Sequence, residues 1–230
     1  STSNGSLIKL TADNIEIKNA FIEGTARHIG DFDSINNNGS AVASSINLTA
    51  NEILLKNNSS IISTASGKKT IGGNIKLTSN SLSMSEGAII STQTRNGKFV
   101  SSNQKTSGSI NNAGNISIII KKLILKSGAQ IFSGTENSNG NSGKIIISGK
   151  NNSPVDTIII KGISSIKNEP TTISVKAQKF ENKTFTGSAG ELNINVNQLT
   201  ISNGGQIIGT SETNGSGGTL NIQASNIDIS

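Results

Sequence analysis

Few residues in this chain are suited to chemistry. His28, Asp31 and Asp33 lie close together in HIGDFD. An imidazole beside two carboxylates is a set that can hold a divalent cation or share a proton between acid and base. The same six residues also read as a solvated turn, since Asp favours turns and His28 is the single histidine. A polysaccharide-cleaving enzyme needs acids clustered on one side of its fold. Here no second acid pair at comparable spacing supports the first, and Glu181 stands alone between Lys179 and Lys183. The turn reading is preferred, so no catalytic residue, no metal ligand and no cofactor is expected.

A second group pairs cations with rings. Arg95, Lys98, Phe99 and Lys105 form one cluster, and Lys176, Lys179, Phe180 and Lys183 form another. Lysine or arginine beside a solvent-facing phenylalanine can grip an anionic or ring-bearing glycan. Lysine also blunts exposed sheet edges, and acids in the same stretches (Asp31, Asp33, Glu169, Glu181, Glu191) dilute any field. Lys98, Phe99, Lys105, Lys179, Phe180 and Lys183 are the candidate contact residues. Other motifs fail. SNGNSGKI (138–145) lacks the first glycine and the hydroxyl residue of a phosphate loop, and a strand follows where a helix is needed. NGSGGTLNI lacks the aspartate of calcium-binding nonapeptide repeats.

Composition narrows the elements that must carry these residues. There are 25 glycines and six phenylalanines but no Trp, Tyr or Cys. The absence of cysteine excludes a disulfide scaffold and a thiolate metal site. A net charge of +6 spread along 230 residues is a poor match to a nucleic-acid footprint, and none is expected as a partner. No apolar run approaches the roughly 20 residues of a membrane helix, so no membrane span is expected.

The aliphatic residues recur. G-x-[IL]-x-[IL] is written as GNIKL at Gly73, GNISI at Gly114, GKIII at Gly143, GELNI at Gly190 and GTLNI at Gly218, with weaker copies at Ser6 and Ser44. The first apolar positions are Ile8, Ile46, Ile75, Ile116, Ile145, Leu192 and Leu220. A second alternating pair follows at Ile15, Ile53, Leu82, Leu123, Leu199 and Ile227, and at Ile158 after the insertion NNSPVD. A third site is expected at Ile61, Ile90, Ile131, Ile166 and Ile207, with the first copy irregular at Ile22 and Glu23. Short period-2 segments repeated in this way argue for a stack in which each copy buries the edge of the next. The expected fold is all-β: a right-handed parallel β-helix of about seven three-strand coils, forming one segment over 1–230. At a strand spacing of about 4.8 Å the stack would be roughly 34 Å long. Glycine is expected at corners needing positive φ, asparagine at the same bends because it tolerates left-handed backbone, and asparagine also in amide-to-amide ladders along them.

Coils alternate between short and long. Long arcs are expected from Gly24, Ser91 and Lys167, all leaving one corner and therefore lying on one face. They contain Phe32, Phe99, Phe180 and Phe185. In solenoids such insertions cluster on one side, often the binding side.

The unit GNIxIxxxxLxLxxGAxIxSxT, clearest in 73–92 and 114–135, resembles the repeats of filamentous-haemagglutinin-like exoproteins of bacterial two-partner secretion systems. The resemblance covers essentially the whole chain, although the amino-terminal secretion domain of that family is not recognisable in it. It implies a right-handed parallel β-helix, export through a dedicated outer-membrane transporter, and a secreted or cell-surface adhesin. It also implies attachment to glycan or protein on a host or neighbouring cell, without catalysis. The chain would then be a piece excised from a longer exoprotein. The alternative is a β-helix carbohydrate-active enzyme of the polysaccharide lyase or hydrolase type.

Overall fold

The computed structural model describes residues 2–3, 5–27, 40–67, 69–95, 111–180 and 184–230. Among them the chain is all-β, with one 3₁₀ turn at Lys150–Asn152. Three kinds of strand recur in order. The first kind comprises β2 (Leu7–Thr11), β6 (Ser45–Thr49), β10 (Ile75–Thr78), β13 (Ile116–Ile119) and β16 (Lys144–Ser148). The second comprises β3 (Asn14–Lys18), β7 (Glu52–Lys56), β11 (Ser81–Met84), β14 (Lys122–Lys126) and β17 (Val155–Lys161). In the last two repeats the two kinds fuse into the long strands β19 (Glu191–Ser202) and β21 (Thr219–Ile229). All twelve form one sheet, running up the first kind and down the second, with β19 joining the two arms. The third kind, β4 (Phe21–Arg27), β8 (Ser60–Ser66), β12 (Ile89–Arg95), β15 (Gln130–Glu136), β18 (Thr172–Gln178) and β20 (Gln206–Ser211), makes a six-stranded sheet. Short strands β1 (Thr2–Ser3), β5 (Ser40–Val42) and β9 (Thr70–Ile71) make a small third sheet. Every strand pair is parallel, and the sheets curl into a solenoid-like half-barrel around one aliphatic core.

Identity of neighbours sets the register. Ile46 pairs with Ile75, Ile75 with Ile116, Ile116 with Ile145, and Ile145 with Leu192. The second column runs Ile53, Leu82, Leu123, Ile158, Leu199. Because side chains alternate across a strand, one face of every strand is driven inward at once. Ile118 and Leu125 are almost wholly buried, each worth roughly 1.5–3 kcal/mol of transfer free energy. The NNSPVD insertion loops out at the 3₁₀ turn without disturbing this register.

The third column differs from expectation at two places. Ile22 pairs with Ile61, so the first copy is regular, its corner merely one residue shorter. In the fifth copy Ile173, not Ile166, pairs with Ile131 and Ile207. Ile166 is 83% exposed. The extra residues form a loop between β17 and β18, and the arc that follows Ile173 is correspondingly shorter than expected.

Glycine and asparagine occupy left-handed corners as expected, and each has a second role besides. The glycines that open the first strands have no positive φ. They are needed for close approach: a Cβ on Gly114 would lie 2.1 Å from the Gly73 carbonyl oxygen, and one on Gly143 1.9 Å from that of Gly114. Inward hydroxyls of the six-stranded sheet tie down the same turns. Ser133 Oγ donates to Gly114 O at 3.0 Å and accepts from Gly143 N–H at 2.8 Å. Positive φ lies chiefly at the corner between second and third strands, at Asn19, Asn57, Asn58, Gly87, Gly128 and Gly204 among others, and also at Gly67, Asn137, Asn151 and Asn152. Several asparagine side-chain carbonyls accept backbone N–H groups of the next repeat, as Asn74 does from Asn115 and Asn115 from Lys144. An amide-to-amide bond joins Asn221 to Asn193.

Candidate functional site

The outer face of the six-stranded sheet gathers the described members of the basic–aromatic groups. Strand alternation sends Ile131, Ser133 and Thr135 inward and leaves Gln130, Phe132, Gly134 and Glu136 outward. In β18 the outward set is Thr172, Ser174, Lys176 and Gln178. Lys176 faces Gly134 in register, where a Cβ would stand 3.3 Å from the Lys176 stem. That space lets the chain lie across the sheet and bring Nζ to 4.3 Å from the centroid of Phe132, a cation–π contact. Burial pushes the Lys176 pKa below the usual lysine value, opposed by the charges of Glu136, Glu212 and Glu169.

An ion pair joins neighbouring strands on this face. Arg95 Nε is 3.1 Å from Glu136 Oε2, its registered neighbour, and Arg95 also donates to Gln93 Oε1 at 3.0 Å. Gln130 Nε2 donates to Glu169 Oε2 at 3.2 Å. The chain leaving β18 is held by Lys179 N–H to Glu212 Oε2 at 3.4 Å and Phe180 N–H to Asn137 Oδ1 at 2.8 Å. Lys179 and Phe180 are thereby presented to solvent, Phe180 at 68% exposure. Phe132, beneath the Lys176 ammonium, is only 6% exposed, so its ring is covered and not open to solvent.

The sequence candidates divide. Lys179 and Phe180 sit side by side and exposed. Lys98, Phe99, Lys105 and Lys183 lie outside the described residues, as do His28, Asp31, Phe32 and Asp33. Phe185 is buried, so phenylalanines of the third arc do not act alike. Lys176 belongs to a strand and not to an arc. Phe132 was passed over, although the period-2 pattern of QIFSGTE is enough to place it on the outer face.

A shallow groove on another edge of the stack is lined by Asn112, Asn115, Asn141, Lys144, Ser188 and Glu191 among others. Its carboxylate, Glu191, lies 3.0 Å from Lys144 Nζ. The hydrogen bond from Lys144, with help from Asn193, holds the Glu191 pKa below the usual carboxylate value. Among the described residues no three His, Cys, Asp or Glu side chains come together in a way that could hold a metal ion. No helix among them is long and apolar enough to cross a membrane. No family model matches the chain, and neither the curated proteins nor the solved structures yield a match.

Proposed function

We propose that this chain is a segment of a secreted or cell-surface adhesin of the filamentous-haemagglutinin-like kind, acting as a spacer rod without catalysis. In this reading the parallel stack is a right-handed β-helix of about seven three-strand coils. An outer-membrane transporter would export the parent chain, and glycan or protein on another cell would be the target. The observation that carries the reading is the like-on-like register from Ile46 through Leu192, held across insertions of unequal length. A stack that keeps its core while its connections vary is suited to displaying contacts along a rod. Lys179 and Phe180, exposed together past β18, are the described part of the contact surface. Lys98, Phe99, Lys105 and Lys183, outside the described residues, are the remaining candidate contacts.

The test is a glycan array and a cell-layer binding assay on the parent chain and on Lys179→Ser/Phe180→Ser. Binding by the parent that falls in the variant, at unchanged melting temperature, supports the proposal. Absence of binding to every glycan and cell layer contradicts it. So does the release of shortened or unsaturated products from an acidic polysaccharide, which would indicate the enzyme.

A further inference from the structure

The outer face of the second-strand arm carries an unusual arrangement of charge. Elsewhere registered charges are compensated: Lys144 faces Glu191 and Arg95 faces Glu136, at 3.0 and 3.1 Å. Lys18 faces Lys56, but Glu16 reaches Lys56 at 2.7 Å. Lys126 and Lys161 are also registered partners, both exposed, and no ion pair is formed by either. Like charges directly opposite on neighbouring strands oppose folding. The fold tolerates this pair uncompensated where it compensates the others.

The loop between β17 and β18 begins at the residue after Lys161. It is tied internally by Ser164 N–H to Glu169 O, Asn168 N–H to Ser164 O and an antiparallel bridge between Ile163 and Pro170. It leans on the left-handed corner. A Cβ on Gly128 would meet Ser164 at 2.5 Å, and one on Gly204 would meet Ile163 at 2.8 Å. This ordered ridge nevertheless holds Ile163 at 48% and Ile166 at 83% exposure, with exposed Lys167 next to the tip. Glu86, on the corner of the third repeat, and Glu169, bonded by Gln130, are the carboxylates nearby.

We infer that this ridge is an interfacial binding site for an anionic lipid bilayer. Ile163 and Ile166 enter the headgroup boundary, while Lys126, Lys161 and Lys167 lie over the charged surface. Exposed aliphatics on a projecting loop need a partner that accepts a convex apolar tip, which the boundary region of a bilayer does. Clustered ammonium groups are drawn to acidic headgroups within a Debye length. A soluble polyanion would use the lysines and leave Ile166 in water. The site is independent of the adhesin reading and lies apart from Lys179 and Phe180.

The chain has no Trp or Tyr, so Ile166→Trp supplies a single reporter. The 230-residue chain carrying it is mixed with vesicles of phosphatidylcholine, with and without phosphatidylserine. The expected result is a blue-shifted emission with phosphatidylserine only, reversed by high salt. In co-sedimentation, Lys126→Gln/Lys161→Gln should lower the partition coefficient of the parent roughly thirtyfold and Ile166→Ser should lower it as well, with melting temperature unchanged or, for the lysine pair, raised. No emission shift with either vesicle overturns the inference. So does vesicle binding that the substitutions leave intact. Retention on dextran sulfate that depends on Lys126 and Lys161, without vesicle binding, also overturns it and assigns the lysines to a soluble polyanion.

Discussion

Replacing Gly143 with Ala adds one methyl group where the stack has no room. Its Cβ would lie 1.9 Å from Gly114 O, 2.6 Å from Gly114 C and 2.9 Å from Ser133 Oγ. Two of these contacts are backbone of the preceding repeat, so no side-chain rotation relieves them. Relief requires moving β16 away from β13, which stretches the ladder from Ile116–Ile145 to Ile119–Ser148. It also strains the Ser133 bridge to Gly143 N–H. Overpacking of this kind typically costs about 1–3 kcal/mol and occasionally more. For a chain of this length about 1 kcal/mol corresponds to a melting shift of roughly 2–4 °C, so a fall of about 2–12 °C is expected. Gly217→Ala is the control: its nearest neighbour is Gly209 O at 3.9 Å and its φ is not positive. There alanine should be neutral or stabilising by about 0.4–1 kcal/mol through the unfolded chain. Thermal melts by circular dichroism separate the two. Equal melting of Gly143→Ala and the parent would refute close approach as the reason for that glycine.

Leu125→Ala should cost about 2–5 kcal/mol, because the side chain is fully buried between Met84 and Ile160; denaturant melts check this. Ile166→Ala should leave the melt unchanged, whereas Ile173→Ala should lower it by an amount similar to Leu125→Ala, since Ile173 occupies the core column. The hydrogen bond from Lys144 holds the folded pKa of Glu191 below the ordinary glutamate value of 4.5. Its contribution is therefore present above that value and lost as pH falls through the folded pKa. The melting difference between Glu191→Gln and the parent should shrink on acidification below about pH 4.5; a difference that grows there would contradict the pairing. Lys176, with its pKa depressed by burial, should lose its proton before exposed lysines do in a ¹³C NMR titration. Its folded form binds a proton less readily than the unfolded chain, so its contribution to stability rises as pH climbs from the folded pKa towards 10.5.

The first two aliphatic columns were legible because every copy repeats the same local rule: apolar residues two apart, then another pair seven residues on. Ile145 to Ile158 survived an insertion because the second pair restarts intact. The third column failed in the fifth copy because Ile166 sits at the customary offset from Ile158, while the partner selected by packing, Ile173, lies beyond an extra loop. A one-dimensional pattern cannot distinguish an aliphatic residue on a corner loop from one in the wall. Glycine at left-handed corners such as Gly87 and Gly128 was legible, whereas the close approach between Gly114 and Gly143 arises from stacking and leaves no trace in either local sequence. At the candidate site, Lys179 and Phe180 were legible as neighbours in the chain. The Lys176–Phe132 contact joins different repeats and needed the register. The pairing of Arg95 with Glu136 depended on it too.

Every surface described above is positioned by that register, and the absence of cysteine makes it directly measurable. Lys76 and Ser117 are registered partners on neighbouring strands, with side chains on the outer face. Parallel neighbours stand about 4.8 Å apart, within the range of about 4.4–6.8 Å between α-carbons that a disulfide bridges. Lys76→Cys/Ser117→Cys should therefore cross-link on mild oxidation and melt higher than its reduced form. Lys76→Cys/Ile119→Cys, displaced by two residues, should remain reduced. Rapid cross-linking of the displaced pair, with the registered pair left as free thiols, would contradict the stacking from which the core, the candidate site and the ridge all follow.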